Sequence, residues 1–149
     1  MTLEGAADLQ LLVSSVAASI NNQAVKSLQD LGIKIATARV LVSLLGRERA
    51  RCAALARLVG MEATALSHLL RSMADQGLIV RERVKKDNRA VEVRLTAKGE
   101  KMAKLSQAAL NSQSDTLLKG FTAEDVTHLQ QALCRLQDNI RPPKEQATQ

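Results

Sequence analysis

Residues 52–95 read CAALARLVGMEATALSHLLRSMADQGLIVRERVKKDNRAVEVRL, and the fold turns on how this stretch divides. Leu55, Ala56, Val59, Met61, Leu66 and Leu69 fall where two short helices crossing at a tight turn need small or apolar side chains. Gly60 stands at the turn itself. In the second helix Thr64, Ser67, His68, Arg71 and Asp75 recur at i, i+3, i+4, i+7 and i+11, which places them on one face. Leu66, Leu69, Leu70 and Met73 take the other. The offered face carries hydroxyls, an imidazole and a guanidinium, the groups that hydrogen-bond base edges and phosphate oxygens in a major groove. Taken alone, such a face is better explained by simple solvation.

The segment that follows changes the balance. Gly77 suits a left-handed helix cap, and Leu78, Ile79 and Val80 open a strand. Val91, Val93 and Leu95 alternate with Glu92 and Arg94, the period of a strand with one buried face. Between the strands, VKKDNRA sets Lys85, Lys86 and Arg89 around an Asp87-Asn88 pair expected to form the turn. A hairpin tip bearing three cations and no apolar residue suits a phosphate backbone or a narrow minor groove. Asn88 joins Lys85, Lys86 and Arg89 as a candidate DNA contact there.

These motifs carry a resemblance. DNRAVEVRLTAKG, residues 87–99, resembles the wing signature of the MarR-type winged-helix transcription regulators: an acidic residue, any residue, arginine, then a strand ending Leu-Thr-x-x-Gly. Here these are Asp87, Arg89, Leu95, Thr96 and Gly99, and the preceding MADQGLI is similar to the family's exit from the recognition helix. The resemblance implies a mainly α fold with a small β-hairpin wing, a winged helix-turn-helix flanked by N- and C-terminal dimerisation helices. It implies that Arg89 enters the minor groove, that Asp87 holds the wing's shape through an ion pair, and that Ser67 and His68 face the major groove. The family often has Pro-Ser-Thr and a mid-helix arginine where this chain has Ala63, Thr64, Ala65 and His68, so the operator sequence is not read from it.

At 149 residues the chain is long enough for one domain with its own core. Aromatic content is 1%, with Phe121 alone, so the core must be aliphatic and stacking platforms for single strands are scarce. The net charge is +6. Residues 34–101 hold 15 Lys and Arg against 7 Asp and Glu, a surplus of 8, while the flanks together hold 6 against 8. The excess positive charge therefore sits with the proposed reader, as phosphate contact requires.

The flanks read as helices. Residues 6–31 carry Leu9, Leu12, Val13, Val16, Ile20, Ala24 and Leu28 at three- and four-residue steps, and TARVLVSLL, residues 37–45, predicts a more buried helix behind the reader. Thr96 is a natural N-cap for a helix over 97–119. Thr122 caps a fresh start, after which Val126, Leu129, Leu133, Leu136 and Ile140 follow the 3-4-3-4 step of a coiled-coil seam. The expected organisation is one domain over 1–149, with dimerisation helices at 6–31 and 97–140, the winged helix-turn-helix at 34–95 and a polar tail at 141–149. Leu9, Val13, Leu129, Leu133, Leu136 and Ile140 are the candidate dimer residues. The family makes such dimers, and a single helix-turn-helix needs a second half-site about one turn, ~34 Å, away for specific control. The expected partner is a near-palindromic duplex DNA bound by a homodimer.

Nothing in the chain has the spacing of a catalytic motif, so no enzyme and no cofactor is expected. His128 and Cys134 stand six apart on different helical faces, and no metal site is expected. Cys52 and Cys134 show no Cys-x-x-Cys spacing. With no signal-peptide pattern and no long apolar run, the expectation is a soluble cytoplasmic protein without a membrane partner. The resemblance further implies release from DNA by a small anionic or aromatic effector, with Arg47, Arg49 and Arg51 as a candidate cleft, although a solvated charged loop explains those arginines better. Three other readings stand beside this regulator, which reads as a repressor. Cys52, following Arg51 at a helix start, could be a redox switch, though a small buried hydrophobe is the commoner role. The winged helix could instead dock an acidic protein. A non-specific architectural binder would show an apolar wedge or a long basic arm, and neither is present.

Overall fold

The computed structural model describes residues 3–84, 87–112 and 114–140. Lys85, Lys86 and the 141–149 tail lie outside the described residues. The chain falls into two compact units, the first ending before residue 114 and the second beginning at Ser114. In the first unit the order is α1 (Leu3–Leu28), a 3-10 turn (Gln29–Leu31), α2 (Ile35–Leu44), β1 (Ala50–Arg51), α3 (Cys52–Val59), α4 (Ala63–Asp75), β2 (Ile79–Val84), β3 (Asp87–Leu95) and α5 (Ala97–Asn111). The second contains α6 (Ser114–Leu117) and α7 (Ala123–Ile140).

The core of the first unit is aliphatic. Val40, Leu41 and Leu44 of α2, Leu55 of α3, and Leu66, Leu70 and Met73 of α4 are enclosed together with Leu78, Ile79, Val93 and Ala103. Each fully buried large aliphatic side chain contributes roughly 1.5–3 kcal/mol by leaving water, so this cluster is what holds α4 in place. Among the described residues α1 adds to the buried set near its C-terminal end, through Ala24 and Leu28.

The three strands form an antiparallel sheet in the order β1-β3-β2. β1 pairs Ala50 with Val93 and Arg51 with Glu92, so part of the charged run at 47–51 is a strand rather than a loop. β2 and β3 are longer than the alternation predicts. Val84 is paired with Asp87, which puts Asp87 and Asn88 in β3 rather than in a turn. The pairing of Val84 with Asp87, after a shift in register between Arg83 and Val84, draws Asp87 into the strand against the turn preference of the Asp-Asn pair.

The helix expected over 97–119 is also divided. α5 ends at Asn111, and the Ser112 hydroxyl donates to the Ala109 carbonyl at 2.8 Å. Asn and Ser favour such local bonds over helix propagation, which is why the chain leaves the helix here. α7 starts with a reciprocal cap. The Asp125 N–H donates to the Thr122 hydroxyl oxygen at 3.2 Å, and the Thr122 N–H donates to the Asp125 carboxylate at 2.9 Å. Those bonds hold the Asp125 carboxyl below its ordinary range, first through the Thr122 backbone. Among the described residues no helix is long and apolar enough to cross a membrane.

Candidate nucleic-acid interface

α3 and α4 are joined by a turn that only glycine enters without strain. Gly60 sits at φ 65°, and the Met61 N–H reaches back to the Ala56 carbonyl at 3.0 Å. α4 then presses Leu66, Leu70 and Met73 into the core. Thr64, His68, Arg71 and Asp75 are exposed on the opposite side, whereas Ser67 is half-buried at the edge of that face. Two exposed residues that the spacing left out, Ala65 and Ser72, lie on the same face. Ser72 accepts a hydrogen bond from the Gln76 side-chain amide at 3.0 Å.

The exit from α4 is tied to the end of the hairpin by one side chain. The Thr96 hydroxyl lies 2.7 Å from the Gly77 carbonyl and 3.1 Å from the Leu78 carbonyl as a donor, and it accepts from the Gly99 N–H at 3.0 Å. The Lys98 ammonium donates to the Gln76 carbonyl at 2.8 Å, beside the C-terminal end of α4. A Cβ on Gly99 would stand 1.8 Å from the Leu78 carbonyl oxygen, so the position excludes every side chain. The Leu-Thr-x-x-Gly motif is thus the joint between α4, the hairpin and α5. The backbone of Asp87, Asn88 and Arg89 runs in β3 at the far end of that hairpin.

The three arginines assigned to a cleft have other partners. The Arg47 Nε donates to the Ser43 carbonyl at 2.9 Å. Arg49 Nη1 lies 2.9 Å from Glu82 and 3.8 Å from Glu92, while Arg51 Nε stands 4.0 Å from Glu92. Arg94 Nε completes the group at 3.3 Å from Glu82. Glu82 and Glu92 oppose each other directly across β2 and β3. Like charges so placed repel, and the guanidinium groups offset that repulsion. Sequence periodicity hid this cluster because it depends on a register linking residues 49–51, 82 and 92–94.

Cys52 does not have the surroundings of a reactive thiol. Burial pushes its pKa up, and the opposing cation is Arg81, across the sheet, rather than the adjacent Arg51. The expected thiolate is therefore disfavoured, because desolvation outweighs the nearby charge. Cys134 is exposed on α7. Among the described residues no three His, Cys, Asp or Glu side chains converge as a metal site. On α1, Leu9, Leu12, Val13 and Val16 are exposed; on α7, Leu129, Leu133, Leu136 and Ile140 are exposed.

A helix-turn-helix whose second helix is packed on one side and bare on the other, followed directly by a β-hairpin, defines a winged-helix DNA-binding protein. Residues 36–99 match the family described as a winged helix DNA-binding domain. AbsC, a MarR family transcriptional regulator from Streptomyces coelicolor, is 25% identical with a TM-score of 0.78, over 95% of this chain and 97% of that one. A mutant of MarR from E. coli, solved in complex with operator DNA, is 22% identical with a TM-score of 0.75, over 91% and 99%. CouR from Rhodococcus jostii RHA1, solved with p-coumaroyl-CoA, is 18% identical with a TM-score of 0.78, over 91% and 95%. Residues 36–99 thus form a winged helix DNA-binding domain, and the chain shares its fold with MarR family transcriptional regulators over nearly its whole length. Those similar proteins are described as transcriptional regulators.

Proposed function

We propose that this protein is a sequence-specific repressor that binds a near-palindromic duplex operator as a symmetric homodimer. The observation that carries the reading is α4 itself, with Leu66, Leu70 and Met73 enclosed and Thr64, His68 and Arg71 bare, next to a basic hairpin. Thr64, Ser67, His68 and Arg71 read base edges in the major groove, and Lys85, Lys86, Asn88 and Arg89 of the wing hold the flanking backbone or minor groove. Asp87 keeps the wing in shape.

Dimerisation draws support from the apolar residues that α1 and α7 leave in water. Rows of exposed Leu, Val and Ile at helical spacing mark association surfaces. The CouR complex with p-coumaroyl-CoA supports release by a small ligand with an anionic group and an aromatic body. Arg47, Arg49 and Arg51 already hold partners of their own, so such a group would share them with the Ser43 carbonyl, Glu82 and Glu92.

Selection of random duplex DNA by the purified protein tests the reading. A near-palindrome with half-sites about one turn, ~34 Å, apart is expected. Recovery of no motif, with binding that fades in moderate salt, would overturn it. His68→Ala should shift the preference by about 1–3 kcal/mol at particular base pairs, read from the selected sequences.

A further inference from the structure

We propose that Glu82 and Glu92 are positioning residues that hold Arg49, Arg51 and Arg94 in a fixed array for contact with the DNA phosphate backbone beside the wing. The inference rests on the DNA-binding reading and extends it to a surface outside α4 and the hairpin tip. The two carboxylates face each other across β2 and β3, an arrangement that costs free energy unless cations are held against it. Three arginines surround the pair, leaving one positive charge in excess.

The contacts run through Nη1 of Arg49 and through Nε of Arg51 and of Arg94. A guanidinium has five N–H donors in a planar fork, so most of the donor capacity remains. The side chains of Arg51 and Arg94 are 67% and 44% exposed, which makes the remaining donors accessible to a phosphate oxygen. Ordering a long cation beforehand lowers the entropy lost when it grips an anion. The location fits as well. Arg51 and Arg94 lie on strands of the same sheet whose hairpin forms the wing, and β1 leads straight into α3.

The test exploits a difference in sign. Glu82→Gln removes a negative charge from a DNA-facing surface, and charge alone would make binding tighter and its salt dependence steeper. The proposal expects the reverse: affinity for the selected operator falls by roughly three- to tenfold and the salt dependence becomes shallower, because the arginines lose their order. Arg51→Ala and Arg94→Ala should each lower the slope of log affinity against log salt by about 0.9, and Arg51→Lys should restore it. Unchanged thermal melting of Glu82→Gln with a shallower slope separates positioning from folding. Tighter binding by Glu82→Gln, or unaltered slopes for both arginine variants, would overturn the inference while leaving α4 as the reader. Failure of the unaltered chain to bind any duplex would remove the reading beneath it.

Discussion

α4 and α7 are both amphipathic helices with leucines at three- and four-residue steps, yet their apolar faces meet opposite fates. Leu66, Leu70 and Met73 of α4 are enclosed, whereas no residue of α7 is buried and Leu129, Leu133, Leu136 and Ile140 remain in water. The periodicity of a helix shows that it has an apolar face, not which chain covers it. For α4 the cover is α3 and β2, within the core they share with α2. For α7 the proposed cover is a second copy of the protein.

The largest effect that can break this contrast is Leu70→Ala. Truncating a side chain with no exposure should cost about 2–5 kcal/mol, read as a lower urea midpoint with an unchanged slope, and the loss should not depend on protein concentration. The same truncation on α7, Leu133→Ala, should cost less at high dilution and more as concentration rises, because the lost contact belongs to the dimer. A concentration-independent loss at Leu133 would mean that α7 serves its own chain alone. The cysteines sharpen the contrast further. Alkylation near neutral pH should consume exposed Cys134 before Cys52, whose raised pKa keeps it protonated, and mass spectrometry distinguishes the order. Faster reaction at Cys52 would revive the redox reading.

The smallest effect concerns Ser106, which is fully enclosed on α5 with a hydroxyl oxygen that has no hydrogen-bond partner among the described residues. Ser106→Ala should leave stability unchanged or raise it by up to about 1 kcal/mol, since an unsatisfied buried hydroxyl costs free energy. A clear loss in thermal melting would reveal a partner for that hydroxyl.

How far these features could be read from the chain depends on the range of the interactions that make them. The buried and bare sides of α4 follow from spacing within thirteen residues, and the period exposes them directly. Ser67 shows the limit of that method: it lies within the counted pattern but near the edge, and the core half-covers it. β1 is two residues long and exists only because Val93 and Glu92, far along the chain, pair with it. The turn expected at Asp87-Asn88 gave way to ladder pairing for the same reason. The family motif points to Thr96 and Gly99, but their role emerges only where the Leu78 carbonyl meets α5.

That meeting point has a mechanical consequence. One hydroxyl touches the two residues that carry the chain from α4 into β2 and the opening turn of α5, while Lys98 braces the end of α4 from the same helix. α4 and the hairpin are therefore fastened to one point, the first turn of α5. A tilt applied along α5 would be passed to both through that joint.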